Sequence, residues 1–193
     1  MTVDLSKTSR RGYHPGRPYP IRALWLIAEA LILLNPFLTP YSLKCWTLRR
    51  FGAKVGHGVL IKPSVHVKFP WHLEVGDNVW IGERAWIDNF VSVRIESNAC
   101  ISQGAYLCTG NHDWSDPGMG LMVKSITVEQ GAWVGAFARI GPGVTVGANA
   151  IVTLGSVLLK DARPNGIYTG NPATLVGERA IRDRPGPAVD DPI

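Results

Sequence analysis

Five histidines occur among the 193 residues, and one of them stands in a setting suited to chemistry. His112 lies in the segment CTGNHDW (Cys108 to Trp114), where a run of regularly spaced apolar residues breaks off into a loop. Imidazole titrates near neutrality, so a loop histidine suits proton transfer. The spacing leaves a second reading open, a ring that only hydrogen-bonds its own turn. Asp113 and Asp116 are near enough to orient the imidazole, although a backbone carbonyl serves equally well and loop aspartates are most often turn residues. Cys108 falls inside the repeat rather than on the loop, which speaks against a covalent thiol intermediate. Cys45, Cys100 and Cys108 have neither disulfide-framework nor zinc-ligand spacing, and a reducing cytoplasm suits them. The glycines follow a six-residue period outside any strand-to-helix context, so they are structural rather than phosphate-cradling.

The elements that position His112 are visible as that period. Apolar residues recur at Val55, Ile61 and Val67; after an insertion at Trp71 to Glu74 they resume at Val75, Ile81, Ile87 and Val93. A two-residue slip starts Ile95, Ile101 and Leu107, and after the interruption at 111–125 the run Val128, Val134, Ile140, Val146, Val152 and Leu158 follows. A small or β-branched residue sits four positions on, as at Val59, Val65, Ala85, Val91, Ala105, Ala138 and Ala150. Three hexads make one triangular coil of short parallel strands, whose narrow core admits one branched and one small residue per side, with Gly, Asn and Asp at the corners. Hairpins would show period two between turns of variable spacing, and this lock on six argues against them.

Residues 1–54 form a helical lead-in that caps the first coil, 55–163 the repeat, and 164–193 a closing segment ending in a loose tail from Asp183 to Ile193. The chain carries a net charge of +5, most of its excess before Val55, which suits anionic ligands or an acidic membrane surface. The intervening residues are apolar rather than aromatic and basic, so nucleic acid is a poor partner. No signal peptide is expected, and the mature chain should begin near Met1. The apolar stretch WLIAEALILL, interrupted by Glu29 and closed by Asn35-Pro36, falls short of the roughly 20 residues a bilayer span needs. Two readings remain for it: a helix covering the end of the core, the commoner fate of such runs, or an interfacial helix on the inner membrane.

The hexads, CTGNHDW, the run GAWVGAFARIGPGVTVGANAIV, the closing GNPATLV and the lead-in RPYPIRALWLIAEALILLNPF with LRRFGAKVG together resemble the hexapeptide-repeat acyltransferases, and most closely their colanic-acid biosynthesis acetyltransferase group. The resemblance covers about Arg17 to Glu178. It implies a mainly β fold, a left-handed parallel β-helix with an N-terminal helical segment, assembled as a homotrimer with acetyl-CoA between neighbouring prisms. It further implies O-acetyl transfer to a sugar hydroxyl in exopolysaccharide or surface-glycan synthesis, with His112 as general base, and no metal. By the same resemblance, Trp133, Gly135, Ala136 and Lys160 contact acetyl-CoA, and Asp88 and Asn89 contact the acceptor; as residues alone, the last two read equally as a turn. The chain departs from the family at Thr174, where Lys or Arg is usual, and at LLKD in place of Val-Thr-Lys-Asp. Three competing readings are N-acetyl transfer to an amine, a metal-dependent hydratase of the γ-carbonic-anhydrase type using His57, His66 and His72, and a non-catalytic scaffold.

Overall fold

A computed structural model describes residues 2–9, 12–36 and 39–182. Its body is a parallel β-solenoid of triangular section. The first face stacks Lys54–Val55, Leu73–Val75, Val93–Ile95, Ile126–Val128 and Thr145–Val146. The second stacks Leu60–Ile61, Trp80–Ile81, Cys100–Ile101, Trp133–Val134 and Ile151–Val152, and the third His66–Val67, Trp86–Asp88, Tyr106–Cys108, Arg139–Ile140 and Val157–Leu158. One branched residue per strand points inward, and Ile61, Ile87, Ile101, Val134 and Ile140 are 0–1% exposed. The second inward row is small: Ala85, Ala105, Ala138 and Ala150 are 0% exposed. Val91 is an exception to the expected row. It is half-buried, because the two-residue slip falls there and Val93 and Ile95 both turn inward from one strand.

The registers locate every irregularity of the repeat. From the first face to the second and on to the third, partners are always six residues apart: Lys54, Leu60, His66; Glu74, Trp80, Trp86; Arg94, Cys100, Tyr106; Thr127, Trp133, Arg139. The detours all occur on the return from the third face to the first. That step is 8 residues from His66 to Glu74 and from Trp86 to Arg94, 21 from Tyr106 to Thr127, and 6 from Arg139 to Thr145. The extra chain therefore piles up on one edge of the prism. Side chains there replace the missing ladder: Asn89 bridges the backbone N–H and C=O of Phe69 (3.0 and 2.7 Å), and the Thr109 hydroxyl donates to Asp88 O while accepting from Phe90 N–H. Asn89 and Thr109 are fully buried, as such pairing allows.

The open end of the first coil is closed by two helices, α1 (Tyr19–Ala28), extended by a π-type turn over Glu29–Leu33, and α2 (Tyr41–Arg50). An uncovered coil would leave a strand's polar groups unpaired on each face, and each face receives side chains instead. Arg49 donates to Val55 O and Gly56 O, Lys44 to Ile61 O at 3.1 Å, and Trp25 Nε1 to Val67 O at 2.9 Å, while Glu29 accepts from Val67 N–H at 2.7 Å. Glu29, which interrupts the apolar stretch in sequence, is thus a buried edge cap. Burial holds its carboxyl above the usual range and the Lys44 ammonium below its own. At the other end Gly166–Gly170 joins the second face and pairs antiparallel with Ala173–Glu178 through a turn with a cis Asn171-Pro172 bond. The tail expected from Asp183 lies outside the described residues.

Candidate active site

The interruption at 111–125 forms a β-hairpin on the irregular edge: Gly110–His112 pairs antiparallel with Leu121–Val123, setting His112 opposite Leu121. His112 is exposed, and its Nδ1 lies 2.6 Å from the carbonyl oxygen of Met119. Met119 takes a φ of 48°, unusual for a residue with a side chain. A carbonyl can only accept, so in the neutral ring Nδ1 carries the proton and Nε2 presents a lone pair. The ring's Nδ1 meets this carbonyl rather than Asp113 or Asp116. Asp113 accepts from Ser115 N–H and hydroxyl, and Asp116 from Gly118 and Gly120 N–H, shaping the hairpin's tip. The N-terminal arm braces the same hairpin, with Asp4 N–H donating to Pro117 O at 2.9 Å and Leu121 N–H to Ser9 O at 3.1 Å.

Asp88 and Asn89 lie where the third face meets this edge. The Asn89 amide is committed to Phe69, which leaves it a corner-holding position. Asp88 accepts from Lys68 Nζ and from the Tyr106 hydroxyl, both at 2.8 Å. Burial first, then the neighbouring Cys108 and Asp88, raise the Tyr106 phenol far above its ordinary pKa, so it stays a donor. Beside them a pocket of about 380 Å³ opens between α1 and the third face, walled by Tyr19, Phe69 and Trp86, with Arg22, Lys68 and His66 around it. Trp86 is 46% exposed and its ring packs 4.9 Å from that of Tyr106. Arg22 Nε is buried there without a hydrogen-bond partner among the described residues. Aromatic walls with fixed polar groups suit a sugar ring. Trp86, Lys68 and Arg22 come together only when α1 folds across a strand some 60 residues away, and in the sequence an aromatic at an outward repeat position is the one sign of them.

Trp133, Gly135 and Ala136 lie on the second face and at its corner, away from the described contacts of His112. Trp133 is 43% exposed and donates to Ser102 Oγ at 2.8 Å. Gly135 is required by packing, since a Cβ there would meet Val152 O at 2.7 Å, and its N–H already donates to that oxygen. Next to Ala136, Phe137 stands 59% exposed at a φ of 56°. Lys160 is exposed beyond the last strand of the third face. His57, His66 and His72 do not converge. His66 packs on Trp86 and lies 3.4 Å from Glu29, whereas His72 packs against Phe69 and Trp71, where burial lowers its pKa. Among the described residues no three His, Cys, Asp or Glu side chains group as metal ligands.

No family model matches the chain. The colanic acid biosynthesis acetyltransferase WcaF of Escherichia coli is 32% identical over 177 residues, spanning 91% of this chain and 97% of that protein. The galactoside O-acetyltransferase of the same organism is 28% identical over 141 residues, 71% of this chain and 69% of that one. Among solved structures, the hexapeptide-repeat acetyltransferase VCA0836 of Vibrio cholerae, solved also with acetyl-CoA, superposes with a TM-score of 0.76 at 21% identity over 82% of this chain and 90% of its own. A galactoside acetyltransferase bound to coenzyme A gives 0.72 at 21% identity over 92% of each chain. The solenoid is accordingly the left-handed β-helix of these proteins. A match of this identity along nearly the full length of both chains, on the same fold, makes the protein a member of the colanic-acid biosynthesis acetyltransferase group of hexapeptide-repeat acetyltransferases.

Proposed function

We propose that this chain transfers the acetyl group of acetyl-CoA to a sugar hydroxyl in the synthesis of an exopolysaccharide or other surface glycan, with His112 as general base. The contact of 2.6 Å between His112 Nδ1 and Met119 O carries the reading, because it leaves Nε2 as the basic atom on an exposed hairpin. Nε2 takes the hydroxyl proton as the sugar oxygen bonds to the thioester carbonyl carbon. When the tetrahedral intermediate collapses the C–S bond breaks, and the proton passes to the leaving sulfur, giving an O-acetyl sugar and free CoA. The Met119 carbonyl keeps the ring oriented throughout and stabilises the imidazolium between the two transfers.

In this reading the acceptor sits in the pocket beside Trp86 and Asp88, whose corner Asn89 holds. Acetyl-CoA lies along Trp133, Gly135 and Ala136 in a cleft between prisms of a homotrimer, where Lys160 supplies a point charge for its phosphates. The exposed indole of Trp133 and the exposed ammonium of Lys160 support that placement. The N-terminal segment makes peripheral contact with the inner membrane on the cytoplasmic side.

Release of free CoA thiol, followed against a panel of sugars, lipid-linked oligosaccharides and amino sugars, tests the function. Turnover with a hydroxyl acceptor is expected, and His112→Ala should lower it by about 10²–10⁴ with little change in the KM for acetyl-CoA. Acetylation of amines alone would replace O-transfer by N-transfer, and retained turnover in His112→Ala would replace the general base by positioning alone.

A further inference from the structure

The capping helices turn one side to the coil and leave the other side apolar. Along α1 and its π-type extension, Leu24, Ile27 and Leu31 are 53%, 58% and 62% exposed, and on α2 Trp46 is 59% exposed. Between the helices runs a groove of about 630 Å³ whose lining includes Ile21, Leu24, Leu43 and Trp46, with Arg17 and Arg50 on its margin. Both arginines are exposed, and neither has a carboxylate partner among the described residues. Arg49, also at the groove, is committed to capping the coil. Charge is also unevenly divided along the sequence. Residues 1–54 carry nine Lys and Arg against two acidic residues, a net +7, while the remainder carries eleven against thirteen, a net −2.

We propose that this face docks on an anionic phospholipid bilayer, with Leu24, Ile27, Leu31 and Trp46 entering the headgroup and acyl boundary and Arg17 and Arg50 meeting lipid phosphates. The inference rests on the peripheral-membrane reading above and gives it a surface and a lipid chemistry. A purely apolar face would fit a second protein copy equally well. Arg17 and Arg50, exposed at the groove and without carboxylate partners among the described residues, select a negatively charged sheet, and an exposed indole beside arginines suits the bilayer interface. Among the described residues no helix is long and apolar enough to cross a membrane, so the contact is with one leaflet.

Co-sedimentation of the full chain with vesicles of phosphatidylcholine alone and of phosphatidylcholine with about a third phosphatidylglycerol tests this. Binding to the anionic vesicles, weakened by salt, is expected. Arg17→Gln with Arg50→Gln should weaken it roughly thirtyfold, about fivefold per charge. Leu24→Ser, Ile27→Ser and Leu31→Ser together should abolish it. Both variants should keep the wild-type particle mass by light scattering, the wild-type melting temperature within about 3 °C, and the wild-type rate of acetylation of a water-soluble acceptor without vesicles. That last measurement stands or falls separately from vesicle binding. No preference for anionic vesicles, or a serine variant that breaks into smaller particles because the face joins subunits, would overturn the proposal.

Discussion

Replacing Glu29 with alanine should unsettle the whole first coil although the residue lies outside the solenoid. Its side chain is 7% exposed and accepts the edge N–H of Val67 at 2.7 Å. Alanine would leave that N–H buried without an acceptor, a penalty of about 1–3 kcal/mol. The nearby His66 ring is half-exposed and adds little. A net loss of about 1–3 kcal/mol corresponds to a fall of roughly 2–12 °C in Tm for a chain of this size. Glu29→Gln keeps a carbonyl oxygen for Val67 and removes the buried charge, so it should lie within about 1 kcal/mol of wild type. The two proteins should also diverge with pH. Because burial raises the Glu29 pKa, the carboxyl's contribution is full below its unfolded value and is lost as pH rises through the raised folded value. The glutamine variant loses nothing there, so its Tm should gain on wild type as pH rises above the ordinary carboxylate value. Thermal melts of the three proteins at matched concentration provide the check. A Glu29→Ala protein within about 0.5 kcal/mol of wild type, or a Glu29→Gln protein as unstable as the alanine variant, would refute the capping argument.

Trp86→Ala should raise the acceptor KM about tenfold, the loss of one ring-stacking contact, and leave the KM for acetyl-CoA unchanged; initial rates with each substrate varied in turn would expose a shift in the wrong one. Lys160→Ala should raise the KM for acetyl-CoA by about five- to tenfold at unchanged kcat, the signature of lost uniform binding, and a kcat effect alone would count against a phosphate contact. Deleting residues 2–9 removes both braces on the His112 hairpin, so kcat should fall about tenfold while Tm moves by less than about 3 °C. A parallel collapse of Tm would show that the arm belongs to the fold rather than to the hairpin.

The solenoid was legible because a narrow triangular core imposes the same two inward residue sizes at every sixth position, and nothing distant has to be known to see them. Val91 was misplaced because a two-residue detour looks the same in sequence whether it bulges outward or shifts the repeat. The orientation of His112 was open because its partner is a backbone carbonyl, which every residue possesses; only the folded hairpin singles out Met119. Asn89 read equally as a sugar contact or a turn, and its amide is taken up by the backbone of Phe69 in the coil before, a contact across the stack. Glu29 and Lys44 looked like a charge interrupting an apolar stretch and a basic helix residue. Their task depends on which strand edges remain bare once the helices pack, information that lies between segments rather than within one.

All three detours of the chain fall on one edge of the prism. That edge can lengthen or shorten without changing the register of any face, since each coil returns to its neighbour at the same pairing whatever lies between. The molecule thus separates a part that must keep its length from a part that is free to vary, and the hairpin bearing His112 stands in the free part. An altered substrate range can therefore arise by rewriting the hairpin tip around 113–118 while the stacked coils stay as they are. The same edge is the natural place to graft a new loop when the scaffold is put to other uses.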